Sequence, residues 1–300
     1  MTKRSSINTY PSKVQSSFWQ PLHGRRGCSY MDAYMSRILV IGGSGFIGEQ
    51  LVKALRTEGK NVVAPRITEL DIASEQSKLG ELFQKHDTLI ILTQPTEKGI
   101  KNIRSALALS EIDQVLYAST ALVYGSSTKP QGEGAPVSPA SDYARQKYAE
   151  EQLLRESGVP LTIMRFGNVY GGLKNRGIVQ KAIETLYAQK PLETSGEDQI
   201  RDFIHVDDIV KAVCALVDLP PANRVVNIMT GKGTKIGDVF NMIEHLTGKH
   251  FTKLKSPEGE QVNVVGNIQT LQKLTGFTPQ ISLKEGLQKT IDIYDRSIQK

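Results

Sequence analysis

The sequence has little cysteine: only Cys28 and Cys214 occur among 300 residues. Neither stands in a cluster of cysteine or histidine. That excludes a disulfide framework and a zinc centre, and it fits a reducing compartment. No apolar run reaches the roughly 18 to 20 residues that a membrane span needs. The long apolar stretch of a secretory signal is missing too. A cytoplasmic protein with no membrane partner and no resident metal is therefore expected. Acids are scarce in one place. Residues 1–36 hold Lys3, Arg4, Lys13, Arg25 and Arg26 against Asp32 alone, so +4 of the formal +6 net charge lies there. The rest of the chain is nearly neutral and shows no basic stripe with interleaved aromatics, so nucleic acid is not an expected partner.

That first segment also lacks any helical or strand period. Its Ser-rich, basic composition allows three readings. It is a disordered or added leader, an over-extended start with Met35 as the natural first residue, or an organelle transit peptide.

What is present begins at Arg37. The chain is 39% hydrophobic, enough for a substantial core. Ile38-Leu39-Val40-Ile41 is wholly apolar, as a strand buried on both faces requires. Further strands are expected at Asn61–Ala64, Thr88–Leu92, Gln114–Ala118, Leu161–Met164 and Val225–Ile228. Helical spacing marks Ile47–Leu55, about Gly99 to Leu109, Tyr143–Ser157, Ile178–Ala188 and Val206–Val217. Strands alternating with helices mean parallel pairing with right-handed crossovers. The expected fold is α/β, a Rossmann-type doubly wound parallel sheet. The expected domains are a nucleotide-binding part over 37–170 and a smaller substrate lobe over 171–300, whose late elements can return to the sheet.

Gly42-Gly43-Ser44-Gly45-Phe46-Ile47-Gly48 joins the first strand to the first helix. Glycine lets the backbone turn tightly and approach a pyrophosphate, and the helix N-terminus offers unpaired N–H groups. The spacing departs from the usual fingerprint because Gly43 sits beside Gly42. Arg66, placed at the end of the second strand, suits the 2′-phosphate of NADP, where an acid would suit NAD. NADP(H) is therefore favoured and NAD(H) is the alternative. Asp71 is placed to receive the adenine amino group, with Ile72 beside it, and Leu92 ends the third strand in the same crevice.

Tyr143 and Lys147 are four residues apart and share one face of a helix. An ammonium near a phenol lowers its pKa and makes it a usable acid or base. Ser119 and Thr120 follow the fourth strand, where a hydroxyl points into the ligand crevice of such sheets.

Together these motifs resemble the extended short-chain dehydrogenase/reductase family, which includes nucleotide-sugar epimerases, dehydratases and reductases. Arg165-Phe166-Gly167-Asn168-Val169-Tyr170-Gly171 and Arg201-Asp202-Phe203-Ile204-His205-Val206-Asp207-Asp208 add to the likeness. The resemblance implies that Thr120 and Tyr143 are catalytic and that Lys147 supports the tyrosine and holds the nicotinamide ribose. It places Asn168 and Arg201 near a substrate diphosphate, and it implies a homodimer. An ion pair with Asp207 or Asp208 is the other reading of Arg201, and His205 reads as structural. Two departures stand out. The loop between Leu92 and Gly99 is short. Ala121-Leu122 stands where dehydratases carry an Asp-Glu pair, which argues against elimination. The sequence points to NADPH-dependent reduction of an NDP-4-keto-6-deoxyhexose. An NAD-dependent nucleotide-sugar 4-epimerase is the alternative, and a non-catalytic NADP-binding sensor or scaffold is the reading from another class.

Overall fold

A computed structural model describes residues 36–94, 96–127, 129–194, 196–255 and 263–299. The three readings of the N-terminal segment lie outside the described residues. The chain runs β1 (Arg37–Ile41), α1 (Phe46–Thr57), β2 (Asn61–Val63), α2 (Gln76–Phe83), β3 (Thr88–Ile91), α3 (Glu97–Leu107) and β4 (Gln114–Thr120). A 3-10 turn over Ala121–Tyr124 leads to α4 (Asp142–Arg155), β5 (Leu161–Phe166), β6 (Asn168–Tyr170), α5 (Ile178–Tyr187), β7 (Leu192–Thr194) and β8 (Ile200–His205). Then come α6 (Val206–Val217), β9 (Arg224–Ile228), β10 (Gly233–Lys235), α7 (Ile236–Thr247), β11 (Lys253–Lys255), α8 (Gln269–Thr275) and α9 (Leu283–Ile298).

Six strands form one parallel sheet in the order β2-β1-β3-β4-β5-β9. Strand alternation sends successive side chains to opposite faces. Ile38 and Val40 meet Leu51 and Leu55 of α1 and Ile209 and Val213 of α6. Leu39 and Ile41 meet Leu79 and Phe83 of α2 and Ile100 and Ile103 of α3. Two apolar layers on one strand explain why the β1 sequence has no polar residue. A third core, around Val179, Ile183, Phe240, Ile243 and Leu287, joins α5, α7 and α9.

β6, placed by sequence in the nucleotide-binding part, pairs with β8 in a separate sheet of order β10-β8-β6. β9 returns to the main sheet beside β5, and α6 packs on α1. By its contacts, the chain from Ser36 onward is one unit. A short strand such as Asn168–Tyr170 carries too little pattern to show which sheet it joins.

Among the described residues no helix is long and apolar enough to cross a membrane, and no group of His, Cys, Asp and Glu is placed to hold a metal ion.

Candidate active site

In register, Ile41 pairs with Ile91 and Ile91 with Tyr117. The carboxyl ends of β1, β3 and β4 therefore meet at one edge of the sheet. Gly42, Leu92 and the Ala118–Thr120 segment lie side by side there. This edge is where open parallel sheets bind ligands.

The glycine loop fits a dinucleotide pyrophosphate. Gly42 has φ +88, and a Cβ there would come within 2.8 Å of the Thr93 backbone N. A Cβ on Gly48 would run into the Gly42 carbonyl and the Gly43 Cα. Gly45 is the N-cap of α1 and supplies no side-chain cap. The N–H groups of Phe46, Ile47 and Gly48 are thus free to meet an anion at the positive end of the helix dipole. Ser44 lies in the same loop and is exposed. Gly48→Ala is expected to destabilise by about 1–3 kcal/mol, a fall of several degrees in Tm. It should also weaken dinucleotide binding at least tenfold. Thermal unfolding and calorimetric titration check the two effects separately.

On the adenine side, β2 ends at Val63, so Arg66 lies three residues beyond the strand and not at its end. Its backbone N donates to Glu69 Oε2 at 2.8 Å. Its side chain is exposed, with no partner among the described residues. Asp71 is exposed and accepts from Ser74 Oγ and the Ala73 N–H, which hold its carboxyl below the usual range. Ile72 packs against Gly99 at the start of α3. The short loop before Gly99 still starts a proper helix: Thr96 caps α3, its Oγ1 accepting from Gly99 N at 3.1 Å.

Thr120 and Ser119 separate cleanly. Ser119 Oγ donates to Glu151 Oε1 at 2.6 Å and is committed to the interior. Thr120 Oγ1 accepts from the Leu122 N–H at 3.2 Å, capping the 3-10 turn. A hydroxyl that only accepts keeps its own proton for another oxygen.

Ser141 caps α4 by accepting from Ala144 N at 3.2 Å, and Tyr143 follows in the first turn. Tyr143 is 42% exposed. Lys147 is buried. Its ammonium does not rest on Tyr143. It donates to Tyr117 Oη at 3.0 Å and to the Ala118 carbonyl at 3.1 Å, and it lies 3.3 Å from Glu150 Oε2. The expectation of a lowered tyrosine pKa is corrected accordingly. Burial pushes the Tyr143 phenol above its ordinary range, and the Glu150 charge pushes it further. Burial pulls Lys147 down while Glu150 pulls it back up. Spacing showed the Tyr143–Lys147 face but not Glu150, which reads in sequence as one more acid on a polar helix.

Asn168 is half-buried on β6, and Arg201 lies on the neighbouring β8. Arg201 makes no ion pair with Asp207 or Asp208. Its guanidinium donates to Gln199 Oε1 and to the Ile200 carbonyl, and burial lowers its pKa. Asp208 instead accepts from the Gln280 and Ile281 N–H groups. Asp207 lies near His205 and Lys289. His205 Nδ1 accepts from Asp207 N and caps α6.

Sequence reasoning missed a cleft of about 730 Å³ that opens beside Gly45 and Phe46. Lys174, Arg176, Gln180 and Lys181 line it. Lys174 pairs with Glu49 at 2.8 Å. Arg176 and Lys181 show no ion-pair partner among the described residues, and Gln180 Oε1 is buried without a hydrogen bond. These residues follow no motif, and only the fold of the segment after Gly171 brings them together.

A sequence profile of the NAD-dependent epimerase/dehydratase family matches residues 38–228. A putative UDP-glucose 4-epimerase of Methanocaldococcus jannaschii is 28% identical, over 85% of this chain and 97% of that protein. The GDP-6-deoxy-D-mannose reductase of Pseudomonas aeruginosa is 25% identical, over 88% of this chain and 99% of the reductase. Among solved structures, MoeE5 in complex with UDP-glucuronic acid and NAD superposes with a TM-score of 0.81 at 26% identity, covering 87% of this chain and 99% of MoeE5.

Proposed function

The chain belongs to the NAD-dependent epimerase/dehydratase family, and from that premise we propose that it is a nucleotide-sugar 4-epimerase acting on a UDP-linked hexose. The observation that carries this reading is the sheet edge where Gly42 and the Ala118–Thr120 segment meet, with Lys147 of the Tyr143 helix bonded to the Ala118 carbonyl. The similar proteins favour epimerisation over the NADPH-dependent reduction expected from sequence. Most carry epimerase names, and MoeE5 was solved with NAD and a UDP-sugar.

A bound nicotinamide supplies the hydride acceptor and donor at the sugar carbon. The chain supplies the rest. Tyr143 Oη takes the proton from the sugar hydroxyl and later returns it. The Lys147 ammonium, fixed by Tyr117 and Ala118, stabilises negative charge on the tyrosine side of the crevice. Thr120 Oγ1, anchored by Leu122 N, donates to the sugar oxygen. Asn168, Arg201, Arg176 and Lys181 offer donors and positive charge to the diphosphate. Ala121 and Leu122 provide no acid or base for elimination. Retention of the tyrosine, lysine and threonine together counts against a purely binding role.

A second reading, reduction of a 4-keto sugar with NADPH, rests on the unpartnered guanidinium of Arg66. Two assays separate the readings. Protein incubated with UDP-glucose or UDP-glucuronate and NAD is expected to yield the C4 epimer. Absence of any epimer, with NADPH consumed on an NDP-4-keto-6-deoxyhexose, overturns the first reading in favour of the second. Arg66→Asp is expected to lower NADPH affinity about 10- to 100-fold, or 1.4–2.7 kcal/mol, and leave NADH affinity within about twofold. Equal losses for both cofactors would show that Arg66 does not read the 2′-phosphate.

A further inference from the structure

Glu150 is 2% exposed and stands one turn after Lys147 on α4. Its Oε2 accepts from Tyr117 Oη and lies 3.3 Å from Lys147 Nζ. Its Oε1 accepts from Gln146 Nε2 at 2.9 Å, and Gln146 Oε1 accepts from Gln94 Nε2 at 3.2 Å. Tyr117, Lys147 and Glu150 thus close a triangle, tied through Gln146 to the short loop after β3. A buried ammonium without a carboxylate, or the reverse, is strongly disfavoured. Each charge therefore holds the other in place.

Among the described residues, the other anion that acts on Lys147 is Glu151 of α4, and its carboxylate is held by Arg165. β4 presents the neutral Tyr117. β5 presents Arg165, already paired with Glu151 at 2.7 Å, and the 3-10 turn presents Tyr124 under the Arg165 guanidinium. The nearest pair from α3 is Arg104 with Glu156, at the far end of the helix. On α4 itself, Asp142 is paired with Arg145.

We propose that Glu150 is a positioning residue: it anchors the Lys147 ammonium between Tyr117 and the Ala118 carbonyl, one helical turn from Tyr143. The proposal rests on Tyr143 being the acid/base group. Burial first, and the Glu150 charge second, disfavour the Tyr143 phenolate. Oxidation of a sugar hydroxyl must then begin by moving the phenol proton out, whereas reduction of a keto sugar finds it already present.

The test titrates tyrosinate absorbance in the full chain, taking wild type minus Tyr143→Phe to isolate one phenol. In Glu150→Gln its midpoint is expected to fall by about one pH unit, since a single nearby charge at protein-like dielectric is worth that much. The alkaline rise of turnover should move down with it, with kcat affected more than KM. Glu150→Asp, which restores the charge, should bring both back towards wild type. If the single variant does not fold, the midpoint of Lys147→Met/Glu150→Gln should lie below that of Lys147→Met, because both lack the ammonium and only the second keeps the carboxylate. An unmoved or raised midpoint in the variant that folds overturns the proposal. A Tyr143→Phe enzyme with wild-type turnover would instead overturn the functional reading, and the titration would still judge Glu150.

Discussion

Replacing Tyr143 with phenylalanine is expected to lower turnover by about 10²- to 10⁴-fold, the range for loss of a positioned acid/base group, with little change in stability. The ring keeps its packing in the first turn of α4. Only the hydroxyl is lost, on a side chain that is 42% exposed and makes no hydrogen bond that fixes the fold. Dinucleotide affinity should stay within a few-fold, because the glycine loop and the uncapped start of α1 are untouched. The loss should appear in kcat and kcat/KM alike, which marks an interaction made in the transition state. Steady-state rates on the UDP-sugar, with thermal unfolding on the same samples, check both halves. Turnover within threefold of wild type would remove Tyr143 from the chemistry. A large fall in Tm would make the loss structural instead.

The parts of this site that were legible in sequence are those where local backbone chemistry fixes the residue type. Gly42 needs a positive φ, and Gly48 stands where any side chain meets backbone. Both announce the loop without knowledge of the fold. The apolar run at 38–41 announces a strand covered on both faces. The Tyr143–Lys147 spacing gives a shared helix face. What it does not give is where the lysine side chain rests. That depends on Tyr117, thirty residues earlier, and on Glu150, which only the packing of α4 on β4 brings together. Spacing thus puts the pair on one face but does not give the direction of the tyrosine's pKa shift. Arg201 shows the same limit. Its acidic neighbours in sequence left an ion pair open as the other reading, but Asp208 Oδ2 accepts from the backbone N–H groups of residues 280 and 281 instead. β6 has only three residues, and its hydrogen bonds to β8, not its pattern, decide its sheet.

Breaking the Glu151–Arg165 pair is expected to have the largest effect on stability. Glu151 is fully buried, and Arg165 reaches it with two bonds, Nε to Oε1 at 3.0 Å and Nη2 to Oε2 at 2.7 Å. Such a fork is geometrically specific. Ser119 Oγ completes the carboxylate from β4, and the guanidinium stacks 4.7 Å from the centre of the Tyr124 ring. Arg165→Ala removes the fork and leaves Glu151 with Ser119 and the more distant Arg155, at 3.6 Å. An uncompensated buried charge costs about 3–5 kcal/mol, which for a chain of this size is a fall of roughly 10 °C in Tm. The double change Arg165→Met/Glu151→Leu should recover most of that fall, because apolar side chains of similar volume replace a buried pair with little net cost. Thermal or urea unfolding of the three proteins checks the pattern, and a double variant as unstable as the single would mean that shape, not charge, is what the site requires. A catalytic consequence follows from the same contacts. Glu151 links α4 to β4 at Ser119, one residue before Thr120. Arg165→Ala keeps that link but frees the carboxylate from its fork, so the Thr120 hydroxyl and Tyr143 are held less firmly and kcat should fall even at temperatures where the protein remains folded.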